Sequence, residues 1–100
     1  MKSVFHPEAR EEFLASVDWY NLQSLGLGAE FADSVQTAVS LVEAFPLGWT
    51  EVEEGVRRCL VQRFPYGILY SVENDVIVIY AVMHLHREPG YWKNRQQREC

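Results

Sequence analysis

The spacing of apolar positions changes character halfway along the chain. Ala9, Phe13, Val17 and Tyr20, with Leu14 beside them, recur at helical intervals, and Phe31, Val35, Ala38, Val42 and Phe45, with Ala32 and Val39 alongside, do so again. Pro7 suits the first position of a helix, and Glu8, Glu11 and Glu12 complement its positive end, so a first helix is expected from Pro7 to about Leu25. Gly26-Leu27-Gly28 breaks the pattern, and Pro46 and Gly48 end the second helix. Two helices joined so closely form an antiparallel hairpin with one apolar stripe that a sheet must cover. Beyond residue 55 the period shortens to that of strands. Val56 to Phe64, Ile68 to Val72 and Val76 to Arg87 are rich in β-branched and aromatic residues, and Pro65-Tyr66-Gly67 and Asn74-Asp75 punctuate them. This predicts a β-meander. Lys2 to Phe5 can add a short first strand.

The last of these strands is apolar on both faces. Val76, Val78, Tyr80 and Val82 fall on one side under strict alternation, and Ile77, Ile79, Ala81 and Met83 on the other, as expected of a strand inside a doubly covered sheet. The run from Val56 to Phe64 mixes arginine with apolar residues on each face and belongs nearer an edge. Leu47 to Gly55 reads as a surface loop anchored by Trp49. Pro89 and Gly90 stop the final strand, after which Tyr91 and Trp92 can tuck a short terminal helix against the sheet. The expected fold is therefore α+β, in the order β-α-α-β-β-β, with the helical hairpin packed on an antiparallel β-sheet. Residues 1–100 form one domain.

Charge adds an asymmetry. The net charge is −5, but residues 1–55 hold ten carboxylates against Lys2 and Arg10, whereas residues 56–100 hold seven basic residues against four acids. An acidic first half argues against a large phosphate-tracking surface. No run is long and apolar enough to span a bilayer, and Met1 to Ala9 lacks the apolar stretch of a signal peptide. Cys59 and Cys100 read as free thiols, so a cytoplasmic protein without a membrane partner is expected.

With that element order, the chain resembles the RelE/ParE superfamily of bacterial toxins, often called plasmid stabilisation proteins. The resemblance rests on His-Pro-Glu-Ala opening the first helix and Leu-Gly-x-x-Phe entering the second. It rests further on Arg-Phe-Pro-Tyr-Gly-Ile-Leu-Tyr across the first turn of the meander, and on Ala-Val-Met-His-x-x-Arg-x-Pro-x-Tyr-Trp at the end. It implies the toxin of a type II toxin–antitoxin pair, masked by a cognate antitoxin in a hetero-oligomer. Members either cleave messenger RNA on the ribosome or poison DNA gyrase. Ribonuclease members typically carry an arginine before the apolar-apolar-Tyr of the middle strand. Here Gly67 stands there, ahead of Ile68-Leu69-Tyr70, and the Arg-Phe-Pro-Tyr form is closer to the ParE-like branch.

Cleaving RNA through its 2′-hydroxyl needs two proton-transfer groups and cations on the phosphate. For that alternative the catalytic candidates are His84, His86, Arg63, Arg87 and Tyr91, with His84 and His86 expected to share a strand face and to titrate in the useful range. Against this stands the structural reading, in which the histidines close a strand end. His84, His86 and Glu88 are too few for a zinc site, so no metal and no cofactor are expected. Arg57, Arg58, Arg63, Arg87, Trp92 and Arg95 are the candidates for target or antitoxin binding. Leu27, Trp19 and Trp49 are possible partner contacts if exposed. Tyr66, Tyr70 and Tyr80 read as core or rim residues. A toxin fold that has lost activity and serves as a binding module is the third possibility.

Overall fold

The computed structural model describes residues 1–88 and 90–96, without the side chain of Gln96. Chain order is β1 (Ser3–Phe5), α1 (Pro7–Gln23), α2 (Leu27–Ala44), β2 (Thr50–Glu53), β3 (Val56–Leu60), β4 (Tyr66–Glu73), β5 (Val76–His84) and a short 3-10 turn (Lys93–Gln96). The strands form one sheet in the order β1-β5-β4-β3-β2. The expected α+β class holds, with the hairpin of α1 and α2 on one face.

Two expectations about the sheet are corrected. The segment assigned to a loop contains β2, which pairs antiparallel with β3. Its side chains are all exposed, so it carries no apolar alternation that could have announced a strand. The sheet is also mixed, because β1 runs parallel to β5 with Ser3 opposite Ile77 and Phe5 opposite Ile79. A three-residue strand reached from the other end of the fold is fixed by that pairing and not by its own pattern. Helix α1 ends at Gln23, slightly short of Leu25. Cys100 and Pro89 lie outside the described residues.

The hairpin is held by a close approach at Gly28. A Cβ there would stand 2.5 Å from the carbonyl oxygen of Val17 and 2.6 Å from Asn21, and the Gly28 N–H donates to Asn21 Oδ1 at 2.9 Å. Only a hydrogen fits between the two helices at this point. Beneath them lies the main core, in which Phe31, Val35 and Val42 of α2 meet Ile68, Tyr70, Ile77 and Ile79 of the sheet. A second, smaller core occupies the opposite sheet face, where Trp92 covers Val56, Leu69, Tyr80 and Ala81.

Strand β5 does not keep strict alternation. The β4–β5 register shifts between Leu69 and Tyr70, so Leu69 faces Ala81 and Tyr70 faces Ile79, leaving Tyr80 as an extra residue. Such a bulge moves every later side chain to the other face. Ala81 therefore joins Tyr80 and Val78 under Trp92, while Val82 joins Ile77 and Ile79 beneath the helices. The bulge thus determines which face His84 serves.

Candidate functional site

Past the bulge, β5 delivers His84 to the seam between α1 and the end of the sheet. A cleft of about 530 Å³ opens there between Ala15, Ser16, Trp19 and Tyr20 of α1, Pro65 and Tyr66, and His84. A smaller recess of about 210 Å³ continues from it, sharing Ala15, Ser16, Tyr66 and His84 and adding Glu12, Val82, Arg87 and Tyr91. The floor is well ordered by contacts. The Tyr66 hydroxyl and Ser16 Oγ are 3.1 Å apart, and the Tyr66 ring meets Phe31 and His84 edge to face at 4.8 and 5.2 Å between centroids. Burial, with Tyr66 behind it, raises the pKa of Tyr20 on the same wall.

The two histidines meet, but not as neighbours on a strand face. Strand β5 ends at His84, and Leu85 and His86 form a turn that the N–H of Arg87 closes by donating to the His84 carbonyl at 2.9 Å. The turn brings the rings to 5.3 Å, and the His86 N–H donates to His84 Nδ1 at 3.1 Å. An accepted hydrogen bond at Nδ1 leaves Nε2 to carry the proton of the neutral ring.

Arg87 and Tyr91 share the recess. The Arg87 guanidinium lies 3.9 Å from the centre of the Tyr91 ring, and among the described residues it forms no ion pair. Burial raises the pKa of the Tyr91 hydroxyl, and a hydrogen bond to Glu12 and the charge of Glu12 raise it further, outweighing Arg95 and Arg87. Tyr91 is therefore a poor proton donor near neutrality.

The other candidates are dispersed. Arg63, with φ of +73°, pairs with Glu30 at 2.6 Å and lines a different depression along α2. Arg57 donates to the Trp49 carbonyl at 2.7 Å, which leaves the half-buried Trp49 as an anchor, as expected. Arg58 lies on the opposite face, its Cγ and Cδ 3.2 Å from where a Cβ on Gly67 would stand. The aliphatic stem of Arg58 thus already lies over Gly67, which the sequence pattern alone did not show. Trp92 and Arg95 need correction as surface contacts. Trp92 is 3% exposed and stacks over Tyr80, and the Arg95 side chain is 7% exposed, bound to Glu8, Glu12 and the Tyr80 carbonyl. Burial works against the Arg95 charge, but Glu12, Tyr91 and Glu8 outweigh it and raise its pKa.

The cleft brings His84, Arg87 and Tyr91 together with Glu12, Ser16, Tyr20 and Tyr66, which the sequence reading had not placed at a site. Trp19, half exposed on its rim, was named as a possible contact, while Leu27 and Trp49 are half buried. Among the described residues no cluster of histidine, cysteine and carboxylate is suited to a metal, and no helix is long and apolar enough to cross a membrane.

A helical hairpin on a five-stranded sheet, with an aromatic cleft at their seam, defines a small α+β domain. Its architecture is shared with a solved chain of the "Chromosomal ParDE TA system from P. aeruginosa", at a TM-score of 0.76 and 17% identity over 86% of this chain and 97% of that one. The family described as the ParE toxin of type II toxin-antitoxin system, parDE, matches residues 4–89, and the chain belongs to that family. No curated protein matches it in sequence.

Proposed function

We propose that this ParE-family toxin arrests growth by binding its target, DNA gyrase, and is neutralised by a cognate antitoxin in a hetero-oligomeric complex. The observation that carries the binding mode is the wall of the cleft. Trp19, Tyr20, Pro65 and Tyr66 present aromatic and apolar surface, the kind that anchors a partner's side chains. Membership of the ParE toxin family supports gyrase as the target. The ribonuclease alternative draws support from His84, Arg87 and Tyr91 in one recess with His86 beside His84, but its second cation does not converge on them. Arg63 is engaged by Glu30 elsewhere, and the Tyr91 hydroxyl is tied to Glu12 with a raised pKa. Of the catalytic candidates Arg87 is the one cation at the recess, without the paired cations that a phosphate needs.

The test is a supercoiling assay with purified gyrase run beside a reconstituted translation assay, followed by thymidine and amino-acid incorporation in cells expressing the toxin. Gyrase inhibition, early loss of thymidine incorporation and intact messenger RNA are expected, and His84→Ala should retain them. Cleaved messenger RNA on translating ribosomes, lost in His84→Ala, would establish the nuclease instead. A complex with the antitoxin should abolish inhibition.

A further inference from the structure

The recess beside the aromatic cleft has donors to offer and no free carboxylate. Glu12 is the one carboxylate lining it, and both oxygens are engaged, Oε1 by the Val82 N–H at 3.1 Å and Oε2 by Arg95 at 3.0 Å. Arg95 thereby offsets the Glu12 charge. Arg87, held over the Tyr91 ring, forms neither an ion pair nor a side-chain hydrogen bond among the described residues. His84, whose Nδ1 accepts the His86 N–H, has a donor left at Nε2 when neutral. A recess furnished in this way takes an anion.

Cleft and recess are continuous through Ser16, Tyr66 and His84. Trp19, Ser16 and Glu12 follow one another along a single face of α1, and the helical rise sets the Trp19 end about 10 Å from the Glu12 end. An extended chain covers that distance in about three residues. The anion is a carboxylate and not a string of phosphates. Residues 7–23 hold Glu8, Glu11, Glu12 and Asp18 against Arg10, a surface that repels a polyanion, and Arg87 gives a phosphate backbone a single contact. One carboxylate carried beside an apolar anchor is repelled less, and an arginine fork meets it through two parallel hydrogen bonds.

We infer that the cleft and recess together read a segment of the target in which an aromatic or leucine side chain, seated between Trp19 and Tyr66, stands about two to four residues from an aspartate or glutamate that meets Arg87. This rests on the gyrase-binding reading above and adds the chemistry of the segment recognised. The apolar anchor supplies most of the affinity, and the charge pair at the rim selects among segments that carry such an anchor.

The probes are short overlapping peptides spanning the gyrase subunits, immobilised and exposed to the purified toxin. Those that bind should share an aromatic residue or leucine at the stated spacing from an acid, and changing that acid to its amide should weaken binding about fivefold. Arg87→Met should weaken binding of the acidic peptide equally and should no longer distinguish acid from amide, and Arg87→Glu should prefer a lysine at that position. On intact gyrase, Arg87→Met should raise the inhibitory concentration about fivefold, and Arg87→Lys should restore most of the loss. Gyrase inhibited by a toxin that binds none of these peptides, or that binds acid and amide alike, would overturn the inference. So would an Arg87→Met toxin that still discriminates between them, or a single-stranded RNA that displaces the bound peptide. Failure of the unaltered toxin to inhibit supercoiling would instead overturn the proposed function, which that assay registers separately.

Discussion

Arg95 and Glu12, 83 residues apart and 3.0 Å from one another, together complete the edge of β5. Parallel pairing with β1 ends at Phe5 and Ile79, leaving the next groups on that edge without a strand partner. Glu12 accepts from the Val82 N–H at 3.1 Å, and Arg95 donates to the Tyr80 carbonyl at 2.9 Å. Buried backbone groups must be satisfied somewhere, and here one ion pair substitutes for a missing length of strand. Arg95→Met should therefore cost about 3 kcal/mol, because it strands a largely buried carboxylate as well as a carbonyl. Glu12→Gln keeps an acceptor and should cost less. Urea unfolding of the two variants beside the parent checks the order.

Gly28 and Gly67 predict opposite outcomes for one substitution. At Gly28 an added methyl meets the Val17 backbone at 2.5 Å, so Gly28→Ala should destabilise by about 2–3 kcal/mol through forced separation of the helices. At Gly67 the neighbour is the flexible stem of Arg58 at 3.2 Å, which can yield, so Gly67→Ala should lie within about 1 kcal/mol of the parent. Thermal unfolding distinguishes them.

Alkaline pH should loosen the core through two buried groups. Burial pushes the Cys59 thiol from 9.0 up to about 11, and the Tyr70 hydroxyl, donating to the Pro46 carbonyl at 2.6 Å, from 10.0 up to about 12. Burial dominates for Tyr70, against a lowering by Arg57 and with a smaller raising by Cys59. Because the unfolded chain loses these protons first, their contribution is fully present below about pH 9 and is lost as pH rises to about 12. A plot of Tm against pH should fall across that window. Cys59→Ala should flatten its lower part. Tyr70→Phe should flatten the upper part and cost about 1–3 kcal/mol at neutral pH, since Pro46 loses its donor.

Binding and catalysis separate at the cleft. Trp19→Ala should weaken inhibition of the target by roughly 30-fold, as for a truncated aromatic anchor, with little change in Tm because Trp19 is 54% exposed. Arg87→Ala should change inhibition less. Dose–response curves for gyrase inhibition by the two variants test the ranking.

Residue order in the sequence determined the two helices, the three meander strands and the tail anchor, because each carries its own apolar period or its own breakers. His84, Arg87 and Tyr91 were legible as candidates because each carries usable chemistry at or beyond the end of β5, and the fold brings them to one recess. Three features were decided by tertiary structure alone. Strand β2 has no apolar signature and exists by pairing with β3. The bulge at Tyr80 is a mismatch between two strands, so neither strand encodes it separately, yet it turns His84 towards α1. Arg95 read as a surface cation because a guanidinium at the end of a chain is ordinarily solvated. Only folding brings Glu8, Glu12 and the Tyr80 carbonyl around it, and the open edge of β5 that they close does not exist until β1 has paired and stopped.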